Sequence, residues 1–211
     1  SIERRAMLRA YGAELRLTPG YEGMKGALNL AKELANNINN SFQFNQFENL
    51  ANPEIHAKTT AKEIWEQSSY NLDGLVTGVG TGGTVSGCAS YLKEVNPKCK
   101  IFAVEPEKSA VLSGGEPGSH QIQGIGAGFI PKVLKKDLID EILTIKDEEA
   151  FYFGRVLAKT EGLLSGISSG AALAATIQIG RRKEFKDKRI IVILPSFGER
   201  YLSTAMFDSN T

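Results

Sequence analysis

The sequence predicts an α/β fold in which a parallel sheet is flanked by helices. Short apolar runs alternate with longer segments of helical period along the 211 residues, which is the pattern of strands joined by crossover helices. A glycine-rich stretch at residues 78–84 lies between one such run and a helical segment. The composition is 42% hydrophobic and 23% charged, which suits a globular chain with one good core.

Caps and turn residues predict the elements of the first third of the chain. Ser1 caps the first helix, Pro19-Gly20 ends the first strand, and Asn52-Pro53 begins the third helix, where proline suits the first turn. The predicted elements are helices over residues 1–11, 22–35 and 52–67 and strands over residues 14–18 and 41–46. His56 lies on the third helix and is interpreted as a capping or surface residue rather than a base.

The rest of the chain continues the alternation of strands and helices. The predicted strands cover residues 72–77, 101–104 and 189–194, and the predicted helices cover residues 85–92, 147–161 and 169–180. The last strand is expected to be strongly buried and to end at Pro195. An irregular segment over residues 106–131 is long for a compact domain, so we expect it to form part of a functional site.

The chain begins directly in a helix, and the two strands predicted in its first 48 residues are too few for an independent sheet. We therefore expect residues 1–48 to be the remainder of a smaller N-terminal domain that is incomplete in this chain. Residues 49–211 are expected to form the larger C-terminal domain, which carries the glycine-rich stretch.

Charge and composition exclude several classes of function. The 25 basic and 24 acidic side chains give no footprint for nucleic acid or an anionic membrane, and no signal peptide or membrane-length apolar run is found. We expect a cytosolic or organellar protein with a small ligand. Cys88 and Cys99 have no histidine beside them, so they are interpreted as buried reduced thiols, and no metal site is predicted.

The glycine-rich stretch is typical of a phosphate-binding turn. Its glycines allow the backbone to approach an anion, and the following helix directs N–H groups and the positive end of its dipole toward it. Thr81 and Thr84 are additional hydroxyl donors. The spacing Gly78-x-Gly80-x-x-Gly83, with Glu105 about 20 residues on, also fits a dinucleotide fingerprint, so a dinucleotide-binding oxidoreductase is an alternative.

Two further segments carry unusual glycine and serine patterns. Residues 121–129 contain glycines at alternate positions, which suits a backbone surface that offers N–H groups to a ligand. Residues 166–170 read Gly-Ile-Ser-Ser-Gly ahead of an alanine-rich helix. One serine caps that helix, and the other is available to meet a heterocycle held by the phosphate loop.

Together with Leu194-Pro195-Ser196-Phe197-Gly198-Glu199-Arg200-Tyr201, these three segments closely resemble the cysteine synthase, or O-acetylserine sulfhydrylase, family. The resemblance covers essentially the whole chain. It implies a tryptophan synthase β-like fold, fold type II of the pyridoxal-phosphate enzymes, with two parallel-sheet domains of three α/β/α layers. It departs at Phe197, where the family has serine.

The resemblance also implies the site residues. The cofactor phosphate is bound by Gly80, Thr81, Gly82, Gly83 and Thr84, and Ser168 faces the pyridine nitrogen of pyridoxal phosphate. Gln46 helps to hold the substrate carboxylate, and the active-site mouth is bordered by Gly124, Ile125, Gly126, Ala127 and Gly128. The family's Schiff-base lysine and Thr-Ser-Gly-Asn loop have no match here, so no catalytic lysine is named and the 211 residues alone are expected to be inactive.

The implied reaction is a β-replacement that converts O-acetylserine and sulfide to cysteine and acetate. A cystathionine β-synthase-like reaction of serine with homocysteine is the nearest alternative, and a non-catalytic binding module is another. The resemblance further implies a cytoplasmic, plastid or mitochondrial homodimer that binds the C-terminal tail of serine acetyltransferase.

Overall fold

A computed structural model describes residues 1–207. Its helices are α1 (Ile2–Ala10), α2 (Gly23–Asn37), α3 (Ala51–Lys58), α4 (Thr60–Gln67), α5 (Gly83–Val95), α6 (Asp147–Glu161) and α7 (Ile167–Gly180). The strands are β1 (Gly74–Gly78), β2 (Lys100–Pro106), β3 (Glu141–Ile145) and β4 (Ile190–Val192). Within these residues, no helix is long and apolar enough to cross a membrane.

The four strands form one parallel sheet in the order β3-β2-β1-β4. Leu75 of β1 pairs with Ile101 of β2 and Ile191 of β4, and Val104 of β2 pairs with Leu143 of β3. Because β1 and β2 are central, the segments that follow their carboxyl ends meet at one edge of the sheet, which is where ligands bind in open α/β sheets.

Each face of the sheet has its own apolar core. Val76 and Val104 point into a cluster with helix α7, whereas Leu75 and Ile101 point into a second cluster with α5. This alternation follows from the period of two in a strand. The α/β fold with a flanked parallel sheet is therefore confirmed.

Two predicted strands are absent. Residues 14–18 and 41–46 have no strand structure and are mostly exposed. An extended segment needs a neighbouring strand to satisfy its N–H and C=O groups, and among residues 1–207 neither segment has one. Their prediction as strands was wrong.

The other differences concern helix continuity and edge strands. The helix predicted over residues 52–67 breaks at Thr59, whose φ is −123° and ψ is −76° and whose hydroxyl donates to the Ile55 carbonyl at 2.7 Å. Strand β3 was not predicted, because Glu141 and Thr144 obscure its apolar pattern. Strand β4 is shorter than predicted and half-buried, since it lies at the edge of the sheet.

Candidate functional site

Three distant segments meet at the carboxyl edge of the sheet. A β-carbon added to Gly80 would lie 2.5 Å from the Gly124 carbonyl oxygen, and one added to Gly124 would lie 3.5 Å from Ser168 Oγ. The Gly126 N–H donates to the Val79 carbonyl at 3.0 Å. The structure therefore brings the glycine loop, the 121–129 segment and the start of α7 together.

The glycine loop turns directly from β1 into α5. Gly82 has a left-handed φ of +80°, a conformation that favours glycine, and Gly83 begins the helix. The Gly83 N–H donates to Thr81 Oγ1 at 3.2 Å. The first turn of a helix leaves N–H groups without intrahelical partners at the positive end of its dipole, so this turn fits a phosphate.

Asn52, at the start of α3, stabilises the glycine loop through its side-chain amide. Its Nδ2 donates to Thr81 Oγ1 at 3.0 Å and to the Gln46 carbonyl at 2.8 Å. A β-carbon on Gly83 would overlap with the Asn52 amide. The exposed Gln46 is thus tied to the loop through one side chain. Sequence reasoning missed this role, because Asn52 was interpreted only as the start of a helix.

His56 contacts the glycine loop at Thr84. Its Nε2 lies 3.2 Å from Thr84 Oγ1, and its Nδ1 lies 2.9 Å from Thr60 Oγ1. Burial lowers the pKa of His56, which favours the neutral ring at pH 7. The ring is half-buried against the loop, so it is less exposed than its interpretation as a capping or surface residue predicted.

Ser168 is the second residue of α7, whose N-cap is Gly166. Its exposed fraction is only 3%. The neighbouring hydroxyls of Ser165 and Ser169 are buried and have no hydrogen-bond partner within residues 1–207. Ser168 is the serine that lies beside Gly124.

The segment over residues 121–129 has a backbone conformation that requires glycine at three positions. Gly124, Gly126 and Gly128 have φ of +100°, +68° and +81°, which explains the alternating glycines. The Ile125 side chain is 7% exposed and packs against Gly78, so it anchors the segment to the core. The side chain of Ile125 thus belongs to the core, and Ala127 is half-buried between Gly126 and Gly128.

Glu105 does not serve as the acidic residue of a dinucleotide site. It is 1% exposed, and its two carboxylate oxygens accept from the Leu112 N–H at 2.8 Å, the Ser113 N–H at 2.9 Å and the Ser113 hydroxyl at 2.6 Å. Both oxygens are engaged in this turn, and the side chain is buried, so it is not accessible to a ribose hydroxyl. This geometry argues against the dinucleotide alternative.

The two cysteines are buried, and burial raises the pKa of Cys88 to about 12 and of Cys99 to about 11. Both thiols are therefore protonated and unreactive at neutral pH. Their interpretation as buried, reduced thiols is confirmed.

Comparison with known proteins identifies the family. The model of the pyridoxal-phosphate dependent enzymes matches residues 1–196. The chain belongs to this family. A cysteine synthase of Buchnera aphidicola subsp. Schizaphis graminum is 53% identical over 216 residues, covering 98% of this chain and 67% of that protein.

Two solved structures of the family are similar to this chain. A cysteine synthase from Entamoeba histolytica is 47% identical with a TM-score of 0.91, over 98% of this chain and 61% of that one. An O-acetylserine dependent cystathionine beta-synthase from Helicobacter pylori is 44% identical with a TM-score of 0.92, over 97% and 66%. The fold is thus that of the type II pyridoxal-phosphate enzymes, the tryptophan synthase β-like fold. The chain spans about two thirds of the length of these relatives.

Membership of the family makes pyridoxal phosphate the cofactor. The residues present fit this group. A helix N-terminus behind a glycine turn suits the phosphate, and the buried Ser168 lies across Gly124 from that turn. The close approach of Gly80 to Gly124 leaves no room for a side chain between the two segments.

Proposed function

We propose that this chain belongs to a cysteine synthase, which converts O-acetylserine and sulfide to cysteine and acetate. The observation that carries the proposal is the meeting of Gly80, Gly124 and Ser168 at the carboxyl edge of the sheet. The engaged carboxylate of Glu105 weighs against the oxidoreductase alternative.

The proposed cofactor residues divide into two groups. The backbone N–H groups of the loop and the hydroxyls of Thr81 and Thr84 would hold the phosphate, and these residues are Gly80, Thr81, Gly82, Gly83 and Thr84. Ser168 would face the pyridine nitrogen. Pyridoxal phosphate, when bound, supplies the electron withdrawal that acidifies the α-carbon of an amino acid and lets a β-substituent leave.

Ser168 would influence the charge of a bound pyridine ring. A hydroxyl does not stabilise a pyridinium as a carboxylate would, and the positive end of the α7 dipole further disfavours a positive charge there. These two groups would favour a neutral nitrogen in a bound ring, which would limit the electron withdrawal that the ring supplies. This environment favours elimination and replacement over transamination.

The proposed substrate residues orient the amino acid and border its entrance. Gln46 would donate its side-chain amide to the substrate carboxylate, close to the phosphate loop to which Asn52 ties its backbone. Backbone groups of residues 124–128 would line the mouth and exclude water.

We also propose the domain division at residue 48, which is supported by the position of every described strand after it.

Other parts of the proposal concern the whole protein. We assign no Schiff-base lysine to this chain. We propose that this lysine lies in a segment equivalent to the third of the relatives that the chain does not span. The family resemblance supports a cytoplasmic homodimer and binding of the C-terminal tail of serine acetyltransferase. Co-sedimentation with a peptide of that tail tests the last point.

The experiment that tests the function measures pyridoxal phosphate binding and then product formation. Cysteine formed from O-acetylserine and sulfide by a polypeptide that also contains the lysine-bearing segment supports the proposal in full. Cofactor binding without turnover supports the site and leaves the reaction to a polypeptide that contains the lysine. Faster product formation from serine and homocysteine would instead make the protein a cystathionine synthase, and failure to bind pyridoxal phosphate would contradict the proposal.

A further inference from the structure

The first turn of α1 docks onto residues 200–203. The Ser1 hydroxyl donates to the Arg200 carbonyl at 2.5 Å, and the Glu3 carboxylate accepts from the Ser203 N–H at 2.7 Å. Arg4 Nη2 donates to the Tyr201 hydroxyl at 2.8 Å, and its guanidinium lies 5.5 Å from the centre of the Tyr201 ring. Two distant parts of the chain are thus joined mainly by polar side chains.

Tyr201 carries this contact to the start of α7. Its side chain is 1% exposed, and its ring packs so closely that a β-carbon on Gly166 would lie 2.5 Å from Tyr201 Cε2. Its hydroxyl lies 3.3 Å from Ser196 Oγ. The Gly166 N–H in turn donates to the Ser196 carbonyl at 2.8 Å.

Gly166 is the N-cap of α7 and precedes Ser168 by two residues. Tyr201 and Ser196 therefore fix the backbone from which the Ser168 side chain projects. Arg4, although itself exposed, in turn holds the Tyr201 hydroxyl through a charge-assisted hydrogen bond.

We propose that Arg4 and Tyr201 are positioning residues for the pyridine end of the cofactor site. This inference rests on the proposed function, because it assumes that Ser168 faces the ring nitrogen. The pair reaches α7 at its N-cap, Gly166, and within residues 1–207 its side-chain hydrogen bonds do not involve the glycine loop. Its loss is therefore expected to disturb the ring end of the site and to leave the phosphate end intact.

The test separates the two ends of the site with two probes. The first is 4′-deoxypyridoxine 5′-phosphate, which carries the ring and the phosphate and needs no lysine to bind. The second is inorganic phosphate, followed by ³¹P NMR. The variants are Arg4→Ala, Tyr201→Phe and the double variant, and Arg5→Ala is the matched control, since Arg5 is exposed on the same helix.

We expect Arg4→Ala and Tyr201→Phe each to lower the affinity for 4′-deoxypyridoxine 5′-phosphate by about tenfold, which is the effect of one lost charge-assisted hydrogen bond. The absorbance of the bound ring probe, which reports protonation of its nitrogen, is expected to shift as well. Phosphate affinity stays unchanged, and Arg5→Ala matches the parent chain with both probes. Because the two substitutions remove the same contact, the double variant is expected to bind the ring probe no less tightly than the more affected single variant.

Two outcomes would overturn the inference alone. Unchanged ring binding in both variants would show that the pair does not position the site, and an equal loss with both probes would show only a general structural role. If the parent chain does not bind the ring probe at all, the proposed function fails first, so the two failures are distinguishable.

Discussion

Replacing Gly83 with alanine is expected to damage the phosphate loop through Asn52. The added β-carbon would lie 2.6 Å from Asn52 Nδ2 and overlap with the other amide atoms. Non-bonded heavy atoms normally stay about 3.5 Å or more apart. Because Oδ1 and Cγ would lie closer still than Nδ2, the amide must retreat by more than about 1 Å. Its hydrogen bonds to Gln46 and Thr81, now 2.8 and 3.0 Å long, would both be lost.

The expected cost follows from three contributions. Two lost hydrogen bonds cost about 1 kcal/mol each, and overpacking adds about 1 to 3 kcal/mol. The better helix propensity of alanine returns up to about 1 kcal/mol. We expect the free energy of unfolding to fall by about 2 to 4 kcal/mol, and pyridoxal phosphate to bind more weakly.

Urea unfolding followed by circular dichroism measures the change. Gly180→Ala is the matched control, because Gly180 also lies in a helix and a β-carbon there would meet nothing within 4 Å. We expect that variant to be neutral or slightly stabilising.

A double variant tests the cause. Removing the amide with Asn52→Ala abolishes the overlap, so Gly83→Ala is expected to cost little in that background, and the two effects are strongly non-additive. Additive losses, or a Gly83→Ala variant as stable as the parent chain, would refute the reasoning.

Three further predictions concern buried polar groups. Glu105→Gln is expected to lower the free energy of unfolding, measured in urea, by about 2 kcal/mol. The glutamine N–H₂ would face N–H groups that now donate to the carboxylate. Stability is expected to fall below about pH 6.5, because burial lowers the pKa of His56 and the unfolded chain takes up that proton first. In pH-dependent unfolding, His56→Gln should reduce this slope. Cys88 and Cys99 are expected to resist a thiol reagent at pH 8 until urea is added.

Each of these predictions has a control and a result that contradicts it. Glu107→Gln replaces an exposed neighbour and should be neutral, so equal effects of the two variants would remove the special role of Glu105. An unchanged pH slope in His56→Gln would mean that other groups cause it. Rapid labelling of the folded chain would contradict the burial of the thiols.

The sequence predicted those parts of the fold that depend on local pattern. Helix α6 has the predicted bounds, because its apolar period and acidic first turn are continuous over residues 147–161. Strands depend on neighbours, which a local pattern does not contain. Residues 14–18 and 41–46 therefore read as strands without forming any, while β3 was missed although it pairs with β2.

The site shows the same division. The glycine spacing and the two serines were visible in the sequence, and the segments that carry them meet in the structure. The side chains that support them were not visible, because their contacts are distant along the chain. Asn52 and Thr81 are 29 residues apart, and Arg4 and Tyr201 are 197 residues apart. No local motif marks such pairs.

The most direct test of the proposed site is a crystal structure of the chain with pyridoxal phosphate. We expect the phosphate to lie against the backbone N–H groups of residues 80–84 and the ring nitrogen to face Ser168. A phosphate bound elsewhere, or a ring turned so that another group meets its nitrogen, would contradict the account.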